Sequence, residues 1–330
     1  RMVAPNITPD KETGAGNWTD DVFARAIREG IGHDGRALSL PMYWASFREL
    51  SDEDLASVIV YLRSIPAVKN KLPKRKLSLE TEKELQTSSN PLQHAVKSID
   101  LSDPLTRGRY LVKVADCIGC HTGWYKRNPG FFGGGNKLKR IYDTSYVFSS
   151  NITPDSTGLQ SWTPEFFIQL IRTGKHLKLD PVMPWVSYMN MTDDDLKAIL
   201  MALKQLPPVN HKVMNEMPPT FCEICQQSHG YGEYNKIIAL KPVSFNYSLY
   251  PEFAGTYVHR EGFNIEVTLE NKKLYITEGG PKYELIPVAE NRFEALGFST
   301  PVSFKRDATG KIKWLISYWI EEDLFEKRSN

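Results

Sequence analysis

The sequence predicts a multidomain chain: all-α segments, the first of them truncated, followed by a small antiparallel β barrel or sandwich. Three observations carry this expectation. Residues 1–68 resemble the region from about residue 150 to residue 209, so one helical pattern occurs twice. Capping residues and apolar positions at helical spacing recur in both copies. From about residue 250 the pattern switches to short alternating runs separated by turns. A chain of 330 residues is long enough for two or three domains.

The first copy opens with Asn6-Ile7-Thr8-Pro9-Asp10, which returns as Asn151-Ile152-Thr153-Pro154-Asp155. Trp18, Phe23 and Gly30 recur as Trp162, Phe167 and Gly174, and Met42, Trp44, Asp54, Leu55, Leu62 and Pro66 as Met183, Trp185, Asp195, Leu196, Leu203 and Pro207. In each copy a helix starts at Thr19 or Thr163, with acids following the cap, and ends near Gly30 or Gly174. A second helix starts at Ser51 or Thr192, carries acids in its first turn, and stops at a proline. Residues 69–101 read as a solvated linker, in which the basic run Lys69 to Lys76 is followed by Glu80, Glu82 and Glu84.

Between the copies, Asp103 caps a helix with Pro104 at its first position, and Leu105, Tyr110, Leu111 and Val114 mark its apolar face. That helix leads into Asp116-Cys117-Ile118-Gly119-Cys120-His121, a CxxCH. The two thiols of such a motif add to the vinyl groups of a haem, and the adjacent imidazole lies under the iron as proximal ligand. A zinc half-site needs further ligands at knuckle spacing, and a redox dithiol needs a preceding strand. The distal ligand is sought downstream among Met183, Met189, Met191, Met201 and His176. Met183 is favoured because Pro181 and Pro184 stiffen its segment, and because of the eight methionines only Met42 and Met183 coincide when the copies are superposed.

These motifs resemble the multihaem c-type cytochrome subunits of bacterial membrane-bound dehydrogenases, such as alcohol or gluconate dehydrogenase. The resemblance rests on Arg107-Gly108-Arg109-Tyr110-Leu111, CxxCH, Phe132-Gly133-Gly134-Gly135, Asn151 to Asp155, Arg172-Thr173-Gly174 and Met183-Pro184, and it covers residues 1–68 and 102–209. It implies that residues 102–209 form a complete class I cytochrome c-like domain and residues 1–68 the C-terminal half of another. It also implies haem c as cofactor, one covalent haem on this chain and a second in a longer parent. Haem propionates would be reached by Asn151, Trp162 and Arg172, and Met42 would be the distal ligand of a first haem if a CxxCH precedes it. The chain opens on Arg1, and a parent carrying another CxxCH shortly before it is expected. On that expectation Trp18, Phe23, Ile27, Leu55, Ile59 and Leu62 would face an open apolar groove beside Met42.

Residues 210–235 read as a proline-rich linker that holds a second CxxC, Cys222 to Cys225. With no histidine after it, a local disulfide is expected; a metal site using His211 or His229, or a degenerate haem site, are the alternatives. Residues 236–330 alternate in runs such as 263–269, 283–288 and 302–305. They resemble the lipocalin-like β domain appended to penicillin-binding serine hydrolases, most closely over Phe304-Lys305-Arg306-Asp307-Ala308-Thr309-Gly310-Lys311. No nucleophile–base pair stands out there, which suits a docking or spacer role.

The reading of function is a periplasmic or otherwise extracytoplasmic electron-transfer cytochrome rather than a catalytic enzyme, relaying electrons from a partner oxidoreductase towards an acceptor through His/Met haem. A dihaem peroxidase-like enzyme and a haem sensor acting through the β domain are the alternatives. Membrane association would come through a partner or a missing N-terminus, since no run of roughly 20 apolar residues is present to span a bilayer. A net charge of +2, from 41 basic and 39 acidic residues, gives no case for nucleic acid.

Overall fold

The computed structural model describes residues 3–38, 42–73, 77–78, 81, 91–92, 96, 99–123, 129–140, 145–174, 182–230, 232–236, 243–260, 262, 264–278, 282–295, 302–318 and 322–328. His176, Asp180, Pro181, Lys74 to Lys76, Glu80, Glu82, Glu84 and Phe263 lie outside the described residues. The chain divides into two compact units: residues 1–106 with 113–116, and residues 107–112 with 117–330.

The first unit is built on the helices Asp20–Glu29 and Asp52–Ser64, with the single turn Trp44–Phe47 between them. Thr19 caps the first helix by accepting from Val22 N, and Ser51 caps the second by accepting from Asp54 N. Gly30 closes the first helix at φ 66°, and a Cβ there would stand 2.6 Å from the Trp44 ring, so glycine serves both the left-handed turn and the indole. The two helices bury Phe23, Ile27, Leu55 and Ile59 against Ala15, with Trp18, Met42 and Leu62 packed around them. Phe23, Ile27, Leu55 and Ile59 thus bury one another instead of facing an open groove beside Met42, while Trp18 also lines a cavity with Asn6, Gly14, His33 and Arg36.

The helix Pro104–Val114 starts with Asp103 Oδ2 accepting from Thr106 N at 2.7 Å, and its residues 107–112 belong to the second unit. Gly108 allows it to cross the helix Asp193–Leu203 closely, since a Cβ there would lie 1.9 Å from the Ala198 carbonyl oxygen. After the short helix Cys117–His121 come the strands β1 (Lys137–Lys139) and β2 (Tyr146–Phe148), then the helices Pro164–Thr173 and Trp185–Tyr188. Strands β3 (Pro219–Cys222) and β4 (Gln227–Gly230) form an antiparallel hairpin. The disulfide expected there is corrected as well: Cys222 and Cys225 are free, buried thiols, held on a turn that directs both towards histidines.

The C-terminal strands are β5 (Gly255–His259), β6 (Asn264–Glu270), β7 (Lys273–Thr277), β8 (Tyr283–Ala289), β9 (Arg292–Glu294), β10 (Val302–Arg306), β11 (Ile312–Tyr318) and β12 (Glu322–Lys327). They close in the order β10-β11-β12-β5-β6-β7-β8-β9, with all pairings antiparallel. Closure depends on β12 meeting β5, where Phe325 faces His259, and on β9 meeting β10, where Phe293 faces Val302. Eight strands leave an interior that side chains can fill. Here Phe253, Tyr257, Phe293 and Phe304 do so, the Phe253 and Phe304 rings lying 4.9 Å apart.

The fold class predicted from the sequence, all-α class I cytochrome c-like domains followed by a small barrel or sandwich, is overturned. The chain is a mixed α and β protein whose largest sheet is a closed eight-stranded antiparallel barrel, and the part before the barrel itself contains two β-hairpins. Caps and helical spacing located the helices but said nothing about the glycine- and proline-rich stretches between them. Those stretches satisfy their backbone groups through strand pairs and turns instead.

Candidate haem attachment site

Cys117 and Cys120 sit one turn apart on the short helix that also carries His121; both are half-buried and neither forms a disulfide. The imidazole Nδ1 lies 2.8 Å from the Ser150 carbonyl oxygen. A carbonyl can only accept, so Nδ1 carries the proton and Nε2 keeps its lone pair. Burial pushes the His121 pKa down, opposed by the Ser150 hydrogen bond. A neutral imidazole with Nδ1 tethered is the form that ligates a metal through Nε2.

The backbone that holds this arrangement is a stack of three segments. Gly134 N donates to the His121 carbonyl at 2.8 Å, and Gly135 N donates to the Ser149 carbonyl at 2.8 Å. The turn thus sits between the attachment helix and the segment that supplies Ser150. Gly134 and Gly135 have φ of 74° and 88°, and a Cβ on Gly134 would stand 2.5 Å from Ser149 O. Glycine is required there for close approach and for backbone angle. The buried Thr122 Oγ1 accepts from Phe132 N at 3.1 Å, and Asn136 Nδ2 donates to the Gly119 carbonyl at 3.0 Å. Two cysteines one turn apart beside a tethered histidine are the donor set that covalent haem needs.

Met183 is half-buried just before the Trp185–Tyr188 helix, where Trp185 N donates to its carbonyl at 2.8 Å. Asn151 is buried, and its side chain is fully engaged: Nδ2 donates to Thr157 Oγ1 and the Val209 carbonyl, while Oδ1 accepts from Thr153 N and Oγ1. It locks the loop to the chain that follows the last helix. Arg172 donates to the Met189 carbonyl and pairs with Asp193 at 2.8 Å. Trp162 packs edge-on against Phe166, centroids 5.0 Å apart, and its indole N–H makes no hydrogen bond among the described residues.

The first unit makes the corresponding contacts. Asn6 Nδ2 donates to the Val68 carbonyl and its Oδ1 accepts from Thr8. Arg28 pairs with Asp52 at 2.6 Å and also donates to the Leu50 carbonyl. Arg63 donates to the Trp18 carbonyl as Lys204 does to that of Trp162. Met42 packs, half-buried, on the core of that unit. The Arg–Asp lock was missed in the sequence although both partners recur in step, Arg28 with Arg172 and Asp52 with Asp193. The Ser150 anchor had no side-chain signal, because the group involved is a carbonyl.

No protein-family model matches the chain. Among curated proteins it is similar to the fructose dehydrogenase cytochrome subunit of Gluconobacter japonicus, 30% identical over 221 residues, covering 62% of this chain and 45% of that protein. The alcohol dehydrogenase (quinone) cytochrome c subunit of Gluconobacter oxydans is 30% identical over 226 residues, covering 63% and 47% respectively. The gluconate 2-dehydrogenase cytochrome c subunit of Pantoea cypripedii is 30% identical over 224 residues, covering 62% and 51%. The chain spans about half the length of these relatives, and all three are cytochrome subunits of dehydrogenases.

Proposed function

We propose that this chain is an electron-transfer c-type cytochrome, relaying electrons from a partner oxidoreductase in the periplasm or another extracytoplasmic space. The observation that carries the reading is the His121 imidazole, tethered to the Ser150 carbonyl and carried on the same short helix as Cys117 and Cys120. Cys117 and Cys120 would hold the porphyrin by thioether bonds, and His121 Nε2 would be the proximal ligand. Ser150 orients the ring and makes Nε2 more basic by accepting the Nδ1 proton. Met183 would be the distal ligand, its thioether carried on a short segment that Pro184 stiffens. Of the residues considered for the propionates, Trp162 has its polar side-chain atom free for that role. A haem held there supplies a one-electron iron couple, and a thioether ligand raises its potential.

The similarity to dehydrogenase cytochrome subunits supports a redox partner. Among the described residues no helix is long and apolar enough to cross a membrane. The test is production of the full chain with a c-haem maturation system, followed by a pyridine haemochrome assay. Haem should survive acid-acetone extraction and vanish in Cys117→Ala/Cys120→Ala. Haem lost to the solvent would refute covalent attachment, and strong carbon monoxide binding by the ferrous protein would refute a closed His/Met site.

A further inference from the structure

A second group of metal-ligating side chains lies away from the haem motif. His211, Cys222, Cys225 and His229 are all buried, and their ligand atoms lie within 4.8 Å of one another. Cys222 ends β3 and Cys225 lies in the turn before β4, where Gln226 at φ 56° donates its N–H to the Cys222 carbonyl at 2.8 Å. His229 sits on β4 and His211 comes from the strap before the hairpin.

The two imidazoles are oriented for a cation. His211 Nδ1 is 2.7 Å from the Gly133 carbonyl oxygen, and His229 Nδ1 is 3.0 Å from that of Gly230. Each carbonyl can only accept, so both Nδ1 atoms carry protons. The two Nε2 lone pairs then face each other at 3.2 Å inside the protein. Two bare lone pairs at that distance repel unless a positive charge lies between them. Cys222 Sγ stands 3.7 Å from His211 Nε2. In a tetrahedron with Zn–N of about 2.0 Å and Zn–S of about 2.3 Å, the N···N edge is about 3.3 Å and the S···N edge about 3.5 Å. The His211–His229 and Cys222–His211 separations, 3.2 and 3.7 Å, lie close to those edges.

We propose that His211, Cys222, Cys225 and His229 bind one structural zinc ion in a tetrahedral Cys2His2 site. Binding releases the two thiol protons, so two thiolates neutralise the dication and no net charge is buried. All four positions are taken by protein, which makes the site closed and non-catalytic. Its place gives it work: His211 is bonded to Gly133, its ring packs where a Cβ on Gly135 would come within 2.8 Å, and Gln227 Nε2 donates to the Gly135 carbonyl at 2.9 Å. The zinc thus clamps the hairpin onto the glycine turn that supports the His121 backbone.

The test uses the full haem-loaded chain purified without chelator. Elemental analysis should give one zinc per chain, counted separately from haem iron. Zinc-edge X-ray absorption should show two sulfur and two nitrogen neighbours at about 2.3 and 2.0 Å. Cys225→Ser should lower zinc occupancy at least tenfold, while His229→Cys, a Cys3His set, should keep it. Should the variants fail to fold, the wild-type measurement decides alone. Less than a tenth of an equivalent of zinc after zinc supplementation, a different metal in its place, or a Cys222–Cys225 disulfide in the peptide map would each overturn the proposal.

Discussion

Replacing Gly108 by alanine should force apart the helices Pro104–Val114 and Asp193–Leu203. The added Cβ would lie 1.9 Å from the Ala198 carbonyl oxygen, 2.5 Å from its carbon and 3.0 Å from the Ala202 Cβ. Ordinary contact needs roughly 3.4 Å, so the two helices must part by about 1.5 Å, and a single surplus methylene in a packed core already costs about 1–3 kcal/mol. The contact here is with backbone, which cannot rotate away, so about 3 kcal/mol is expected. For a unit of this size that corresponds to a fall in Tm of roughly 6–12 °C, at about 2–4 °C per kcal/mol. Thr106→Ala, on the same helix and half-buried, serves as the control and should shift Tm by less than about 3 °C, since it keeps the backbone N–H that Asp103 accepts and adds no atom to the core. The assay is thermal unfolding of the haem-loaded protein by circular dichroism, together with the yield of covalent haem. An unchanged Tm and haem yield in Gly108→Ala would refute the close helix crossing.

Two further outcomes follow from the ligand and lock assignments. Met183→His should lower the midpoint potential markedly, because imidazole favours ferric iron relative to a thioether; potentiometric titration reads it, and an unaltered potential would remove Met183 as ligand. Arg28→Ala should destabilise its unit by about 1.5–3 kcal/mol, since the Arg28 side chain is 9% exposed and donates to both Asp52 and a carbonyl. Arg172→Ala, with a side chain 32% exposed, should cost less than about 1 kcal/mol. Urea unfolding of the two variants compares them, and equal losses would show that burial does not set the difference.

The parts legible in the sequence were those fixed by neighbours along the chain. Caps at Thr19, Ser51, Asp103, Thr163 and Thr192, and the left-handed ends at Gly30 and Gly174, depend on residues within one turn, so their pattern survives in one dimension. The CxxCH could be read for the same reason, since its three functional groups share one short helix. Tertiary structure decided what depends on distant partners. Barrel closure needs Phe325 to meet His259, a pairing that alternation alone leaves open between barrel and sandwich. The tautomer of His121 is set by a carbonyl 29 residues away, and no side chain announces it. Asn151 had the composition of a haem contact, yet its four hydrogen-bonding positions are consumed by Thr153, Thr157 and Val209. Cys222 and Cys225 show the limit most directly. Their spacing by itself favours a disulfide over a metal site, and only the fold brings His211 and His229 to the same point with both lone pairs turned inward.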